Sequence, residues 1–136
     1  MVTEKPTIEF YLDPRSGVAP YLQIVQQVRQ ALRLGYLQLE DQLPTMREIV
    51  AHIAINPNTV FKAYRTLEME GLVESRPGRG TFVTRTLEGP APPILKELHN
   101  SLRQWFREAS TAGLDDEGML ALFTSTLHEV RKEGIA

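Results

Sequence analysis

The chain has 136 residues, 42% of them hydrophobic, and no cysteine; this allows one compact core with a small appendage and excludes disulfides and thiolate metal sites. Net charge is -2, which by itself argues against a nucleic-acid partner, yet residues 20–86 carry 8 basic and 6 acidic side chains (+2) while residues 87–136 carry 5 and 8 (-3), so the middle is mildly basic and the end acidic. No stretch approaches the roughly 20 apolar residues of a membrane span and the first 14 lack a basic start followed by an apolar run, so a cytoplasmic chain without signal peptide or membrane contact is expected.

Ile8–Leu12 reads as a short strand, and Asp13, Pro14, Ser16 and Gly17 as a turn cluster. A helix follows over Pro20–Leu34, with Tyr21, Ile24, Val25, Val28, Ala31 and Leu32 on one face and Gly35 as its stop. Tyr36–Leu43 is a connector with alternating apolar residues. Thr45-Met46-Arg47-Glu48 is a capping box, in which the threonine hydroxyl and the glutamate carboxylate satisfy two otherwise unpaired amides. It opens a short helix to Ile53 that buries Met46, Ile49, Val50 and Ile53. Asn56-Pro57 caps a further helix to Glu70, with Val60, Ala63, Tyr64 and Leu67 facing inward and Gly71 ending it. Leu72–Arg76 and Thr81–Thr84 are two strands joined by Pro77-Gly78-Arg79-Gly80, a hairpin with a glycine-rich tip. Gly89–Pro93 is a semi-rigid linker. Two amphipathic helices complete the chain. Ile94, Leu95, Leu98, Leu102, Trp105, Phe106 and Ala109 stripe the first, Ala112-Gly113 interrupts, and Leu120, Phe123, Leu127 and Val130 stripe the second.

Helix, short helix, tight turn, helix, hairpin is the plan of a winged helix-turn-helix, so the expected class is mainly α with a small β wing, followed by a two-helix tail. A turn as short as Ala54-Ile55 forces the second and third helices to cross steeply and leaves the start of the third protruding. The major groove of DNA admits one α-helix. Asn56, Asn58 and Thr59 occupy the protruding end, with Lys62 one turn on. Asn56 reads first as a helix cap, whereas Asn58 and Thr59 have no packing duty and suit base edges or phosphates. Arg47 sits in the first turn of its helix, where a cation opposes the helix dipole; a phosphate partner or a surface ion pair would account for it. Arg76, Gly78 and Arg79 form the hairpin tip, where glycine permits close backbone approach and arginine can enter the minor groove.

Leu43–Glu48, Ile55–Tyr64, Leu67–Val73 and Gly78–Val83 occur in an order and spacing that closely resembles the GntR family of bacterial transcription factors. The match covers roughly Pro20 to Thr84. The Asn-Pro-Asn-Thr-Val string, the Asp13–Val18 lead-in and the short tail are similar to its YtrA-like subfamily. The resemblance implies a dimeric repressor that binds double-stranded DNA through Arg47, through Asn56, Asn58 and Thr59, and through Gly78 and Arg79. Where relatives usually carry Pro-Gly-Asp before the capping box, this chain has Leu39-Glu40-Asp41, which removes the glycine expected at a left-handed turn position.

Residues 1–86 are therefore expected to form the DNA-binding domain, 87–93 a linker and 94–136 a dimerisation tail. The stripe of Leu98, Leu102, Trp105, Phe106, Phe123 and Leu127 must pack on the head or on a second copy, and a homodimer on a pseudo-palindromic operator is expected. His99 and His128 lie on different tail helices with no convergent third ligand, so no metal and no cofactor are expected. The tail is too short for a dedicated effector domain; an unknown small-molecule effector bound between two tails is left open. A winged-helix module that binds protein instead of DNA is the main alternative, and the acidic net charge is its best support. No nucleophile–base pair or phosphate loop marks an enzyme.

Overall fold

The computed structural model describes residues 8–87 and 92–134. They fall into two compact units, within Met1–Gly89 and within Pro90–Ala136.

The first unit contains α1 (Pro20–Arg33), α2 (Met46–His52), α3 (Pro57–Met69), β1 (Val73–Arg76) and β2 (Gly80–Val83). The winged helix-turn-helix order expected from the sequence is present. Local signals set the ends of these elements. Thr45 Oγ1 accepts from the Glu48 amide at 3.2 Å, and the Glu48 carboxylate accepts from the Thr45 amide at 3.4 Å, closing the capping box. Asn56 Oδ1 accepts from the Asn58 amide at 2.9 Å, and Pro57 takes the first helical position. At the far end of α3, Gly71 turns left-handed (φ +77°). The Leu72 amide then reaches the Leu67 carbonyl at 3.1 Å and the Gly71 amide the Glu68 carbonyl at 2.9 Å, which closes the helix and returns Leu72 to the core. β1 and β2 pair antiparallel in the register Val73↔Val83 to Arg76↔Gly80, so only Pro77, Gly78 and Arg79 lie outside the strands.

The core lies between α1 and α3. Ile24, Val25, Val28 and Leu32 of α1 and Val60, Ala63 and Leu67 of α3 are at most 2% exposed, together with Leu37, Leu43, Leu72, Val73 and Val83. Met46 of α2 and Ile53, just beyond its end, pack partly buried against it. Val50, expected inside, is 45% exposed, because α2 is only two turns long and turns a single residue, Ile49, fully inward.

Ile8–Leu12 is not a strand. Its backbone pairs instead with two glutamine side chains one turn apart on α1. The Tyr11 amide donates to Gln27 Oε1 (3.1 Å) and Gln27 Nε2 donates to the Tyr11 carbonyl (2.8 Å). The Asp13 amide donates to Gln23 Oε1 (2.7 Å) and Gln23 Nε2 donates to the Asp13 carbonyl (2.9 Å). A primary amide offers the same donor and acceptor as a peptide group, so each glutamine does for this segment what a neighbouring strand would. Both glutamines are buried, and Phe10 joins the core, its ring 6.4 Å from that of Tyr64.

The connector is also more ordered than its sequence suggested. The Glu40 amide donates to the Val83 carbonyl, the Val83 amide to the Asp41 carbonyl and the Leu43 amide to the Thr81 carbonyl, each at 2.9 Å. It therefore runs along the outer edge of β2, with a bridge at Gln42↔Phe82. Glu40 adopts φ +70°, the one left-handed non-glycine residue among the described residues. The left-handed turn for which a glycine was expected is made here by Glu40.

The second unit consists of α4 (Pro92–Thr111) and α5 (Asp116–Lys132). Pro92 and Pro93, expected in the linker, belong to α4, since proline in a first turn forfeits no helical hydrogen bond. The rest of that linker, residues 89–91, lies outside the described residues. Asp115 Oδ1 caps α5 through the Gly118 amide at 2.8 Å. Trp105 and Phe106 meet edge-to-face at 4.9 Å, and Ala109 is buried. No described residue of α5 is buried. Leu98 is 58% exposed and Phe123 42%, with Leu102, Phe106 and Leu127 also exposed and Trp105 half-buried.

Two stability experiments follow. Gln27→Leu should cost about 1–3 kcal/mol, because two backbone groups of Tyr11 lose their partner; thermal denaturation indistinguishable from the parent would show that the segment is held in some other way. Glu40→Gly should be more stable than Glu40→Ala by about 1 kcal/mol, since both remove the side chain but only glycine adopts positive φ without strain. Equal melting temperatures would refute the strained turn.

Candidate nucleic-acid interface

Because α3 buries Val60, Ala63 and Leu67 against α1, its opposite face is open. Asn58, Phe61, Lys62 and Arg65 lie there at helical spacing and are all exposed. Thr59, between the two faces, is half-buried. Asn56 is occupied as the helix cap, and Lys62 Nζ sits 4.0 Å from the centre of the Tyr21 ring, a cation–π contact between α3 and α1. Tyr64 faces the core edge and its hydroxyl donates to the Pro44 carbonyl at 2.6 Å. Burial raises its phenol well above the ordinary tyrosine range, so it stays neutral and tethers the start of α2.

Arg47 is exposed in the first turn of α2. The start of α2, the outer face of α3 and the hairpin share one cleft: Thr45, Met46, Phe61, Arg65, Ser75 and Thr81 all line it. The three sequence segments that carried candidate residues thus meet at this cleft, although Arg47, Asn58, Thr59, Lys62 and Arg79 do not themselves line it and Glu68 does.

Arg79 is exposed at the hairpin tip. Its amide donates to the Arg76 carbonyl at 2.9 Å, closing the turn, and its own carbonyl accepts from Gln42 Nε2 at 3.2 Å. Gly80 makes room for that buttress: a Cβ there would stand 2.4 Å from Gln42 Nε2. Gly78 supplies the left-handed residue of the turn.

Arg76 sits differently from its neighbours in the sequence motif. Its guanidinium donates to both Glu40 carboxylate oxygens at 2.9 and 3.2 Å and to Glu74 at 2.6 Å, and it lies over the Phe82 ring at 4.4 Å. Hydrogen bonds to Glu40 and Glu74 raise its pKa further, and the bond from Arg76 holds the Glu40 carboxyl below the usual carboxylate range. The pairing therefore persists above the ordinary glutamate pKa and is lost only as pH falls through the lowered value. Arg76 binds the hairpin to the connector.

The six acidic residues between positions 20 and 86 are similarly engaged within the head. Glu40 and Glu74 hold Arg76, Glu48 completes the capping box, Glu68 accepts from the Ser75 amide, Glu70 pairs with Arg29, and Asp41 accepts from the Gln38 amide. Among the described residues no carboxylate lies within salt-bridge distance of Arg47, Lys62, Arg65 or Arg79. Sequence reasoning did not single out Phe61, Arg65 or Gln42. The first two follow from Asn58 by steps of three and seven along a helix; Gln42 acts through a contact 37 residues away and has no local signature.

Residues 20–83 match the family model for bacterial regulatory proteins, gntR family. The chain is 38% identical over 127 residues to the HTH-type transcriptional repressor YtrA of Bacillus subtilis (strain 168), covering 90% of this chain and 88% of that one. A transcriptional antiterminator from Listeria monocytogenes EGD-e superposes with a TM-score of 0.54 at 27% identity, over 96% of this chain and 95% of its own. YtrA from Sulfolobus acidocaldarius, a GntR-family transcription factor, does so at 0.52 and 27%, over 75% of this chain and 97% of its own. With the winged helix-turn-helix in place and the match extending through most of the tail, the chain belongs to the GntR family of transcriptional regulators, on its YtrA-like branch.

Proposed function

We propose that the chain is a repressor that binds a pseudo-palindromic DNA operator as a homodimer, with residues 1–86 as the DNA-binding domain and residues 94–136 as the dimerising tail. One observation carries the DNA-binding reading: among the described residues the exposed cations Arg47, Lys62, Arg65 and Arg79 form no salt bridge, and they stand on α2, α3 and the hairpin, the three elements that meet at one cleft. A surface of unneutralised arginine and lysine around a protruding helix fits a polyanion with a groove.

In this reading the open face of α3 enters the major groove, with Asn58 and Thr59 at base edges or phosphates and Asn56 acting chiefly as the cap. Arg47 and Lys62 meet phosphates, and the Gly78-Arg79 tip reaches the minor groove. Arg76 supports the tip from behind. The net +2 of residues 20–86 makes a single head a weak ligand, so two heads are needed. The exposed stripe of Leu98, Leu102, Phe106, Phe123 and Leu127, with half-buried Trp105, supports the second copy. A two-fold dimer places half-site centres one helical turn or somewhat more apart. Repression is carried over from the relative named as a repressor.

In a gel-shift with the DNA upstream of its own gene, the full chain should give a sequence-specific complex that weakens steeply with salt. No such shift would sink the reading. Arg79→Ala should weaken the complex by about 1–3 kcal/mol, roughly five- to 150-fold, and unchanged affinity would show that the tip does not touch DNA. Sedimentation of a chain lacking residues 87–136 should reveal a monomer; a surviving dimer would refute the role given to the tail.

A further inference from the structure

We propose that Phe61 reads thymine: its ring receives the 5-methyl group of one thymine in each half-site and so fixes a base that no hydrogen bond on this face selects. The proposal rests on the DNA-binding reading above. Phe61 is 61% exposed although it stands in the middle of a well-packed helix. The inward positions of α3 belong to Val60, Ala63 and Leu67, and Phe61 falls outside their stripe. It lies one turn after Asn58, one turn before Arg65 and beside Lys62.

A single exposed apolar side chain is ordinary on a protein surface. Its surroundings distinguish this one. Neither Lys62 nor Arg65 forms a salt bridge among the described residues; Lys62 Nζ rests over the Tyr21 ring and Glu68 lines the cleft with Phe61 and Arg65, so the ring is flanked by two cations whose charge no ion pair neutralises. A protein partner selected for apolar contact would meet those two charges and would have to desolvate them. A DNA major groove satisfies both demands, since its walls are phosphates and its floor carries one apolar group, the thymine methyl. Cytosine carries only a hydrogen at the same ring position, and the purine edges there are dominated by hydrogen-bonding atoms that a phenyl ring cannot satisfy. Phe61 also lines the cleft with Pro44 and Met46 at the start of α2, so the ring belongs to a surface of fixed shape.

The test uses the full chain and a duplex selected by it from a random library. Each thymine of the selected site is replaced in turn by uracil, which removes the methyl group and keeps every hydrogen-bonding atom. Burial of one methyl group predicts a roughly fourfold loss of affinity at one symmetry-related thymine per half-site. Phe61→Ala should bind the thymine and uracil duplexes equally, and Phe61→Leu should retain part of the discrimination. The proposal is overturned if no uracil replacement weakens binding, or if Phe61→Ala keeps the full methyl dependence. A Phe61→Ala chain that fails to fold would make the ring structural and would also overturn it. If selection enriches no sequence at all, the DNA-binding reading itself falls; enriched sites without methyl dependence remove only the role of Phe61.

Discussion

The head depends on one seam, the packing of α3 along α1. Seven aliphatic side chains close it, each at most 2% exposed, and full burial of such a side chain is worth about 1.5–3 kcal/mol. Caps and surface ion pairs contribute about 1 kcal/mol or less apiece. The seam therefore decides which way α3 faces, and the smaller terms decide where it starts and stops. Once Val60, Ala63 and Leu67 are committed to α1, helical geometry leaves Asn58, Phe61, Lys62 and Arg65 on the outside. The interface is the complement of the core. Tyr64 lies at the border between the two, tied by its hydroxyl to Pro44, and so couples the angle of α2 to the seat of α3.

Net charge is a poor guide to what such a surface attracts. Counted residue by residue, the head looks almost neutral. Its acids, however, serve as framework: they close a capping box, hold β1 to the end of α3 through Ser75, join α3 to α1 through Arg29, and fasten the hairpin to the connector through Arg76. Each of these carboxylates faces a donor inside the head, and Arg47, Lys62, Arg65 and Arg79 form no salt bridge with any of them. Arg76 marks the limit of the pattern. It has the sequence context of a contact residue and the surroundings of a strut, and its two carboxylates leave it little charge to offer a phosphate. The Phe82 ring beneath it and the Gln42 amide beneath Gly80 place the same constraint on the tip from two sides.

What was legible in the sequence is what local chemistry decides. The capping box, the Asn56 cap, the glycine stops and the hairpin are each specified within a few residues, and each formed where its signal lay. Three features were not legible. Gln23 and Gln27 look like surface residues by composition, and only the segment they hold turns them inward. Glu40 occupies a left-handed turn that its side chain disfavours, because the hydrogen bonds of Glu40 and Asp41 with Val83 leave the backbone no other course. Val50 looked buried by periodicity, but a two-turn helix has too little length to use every apolar position. For the glutamines and Glu40 the deciding partner lies elsewhere in the sequence; for Val50 it is the length of the helix. Phe61 and Arg65 are a different case. Helical spacing from Asn58 already places them on the open face, so both were legible in the sequence.

The tail turns these local properties into a collective one. α4 and α5 carry leucine and phenylalanine at helical spacing, yet no described residue of α5 is buried, so within one copy the stripe does not complete a core. On the proposed reading it is completed by a second copy, and the weakness of each head then becomes useful. A head with few phosphate contacts leaves DNA easily, whereas two heads joined through paired tails make the second contact intramolecular, at an effective concentration set by the linker. Affinity for paired half-sites then rises far above affinity for a single one, with no new contact to DNA. Discrimination between an operator and scattered half-sites would thus reside in the tail and its linker as much as in α3. A substitution at Leu102 or Phe123 would change which DNA is bound as well as how tightly, although neither residue belongs to the DNA-binding face.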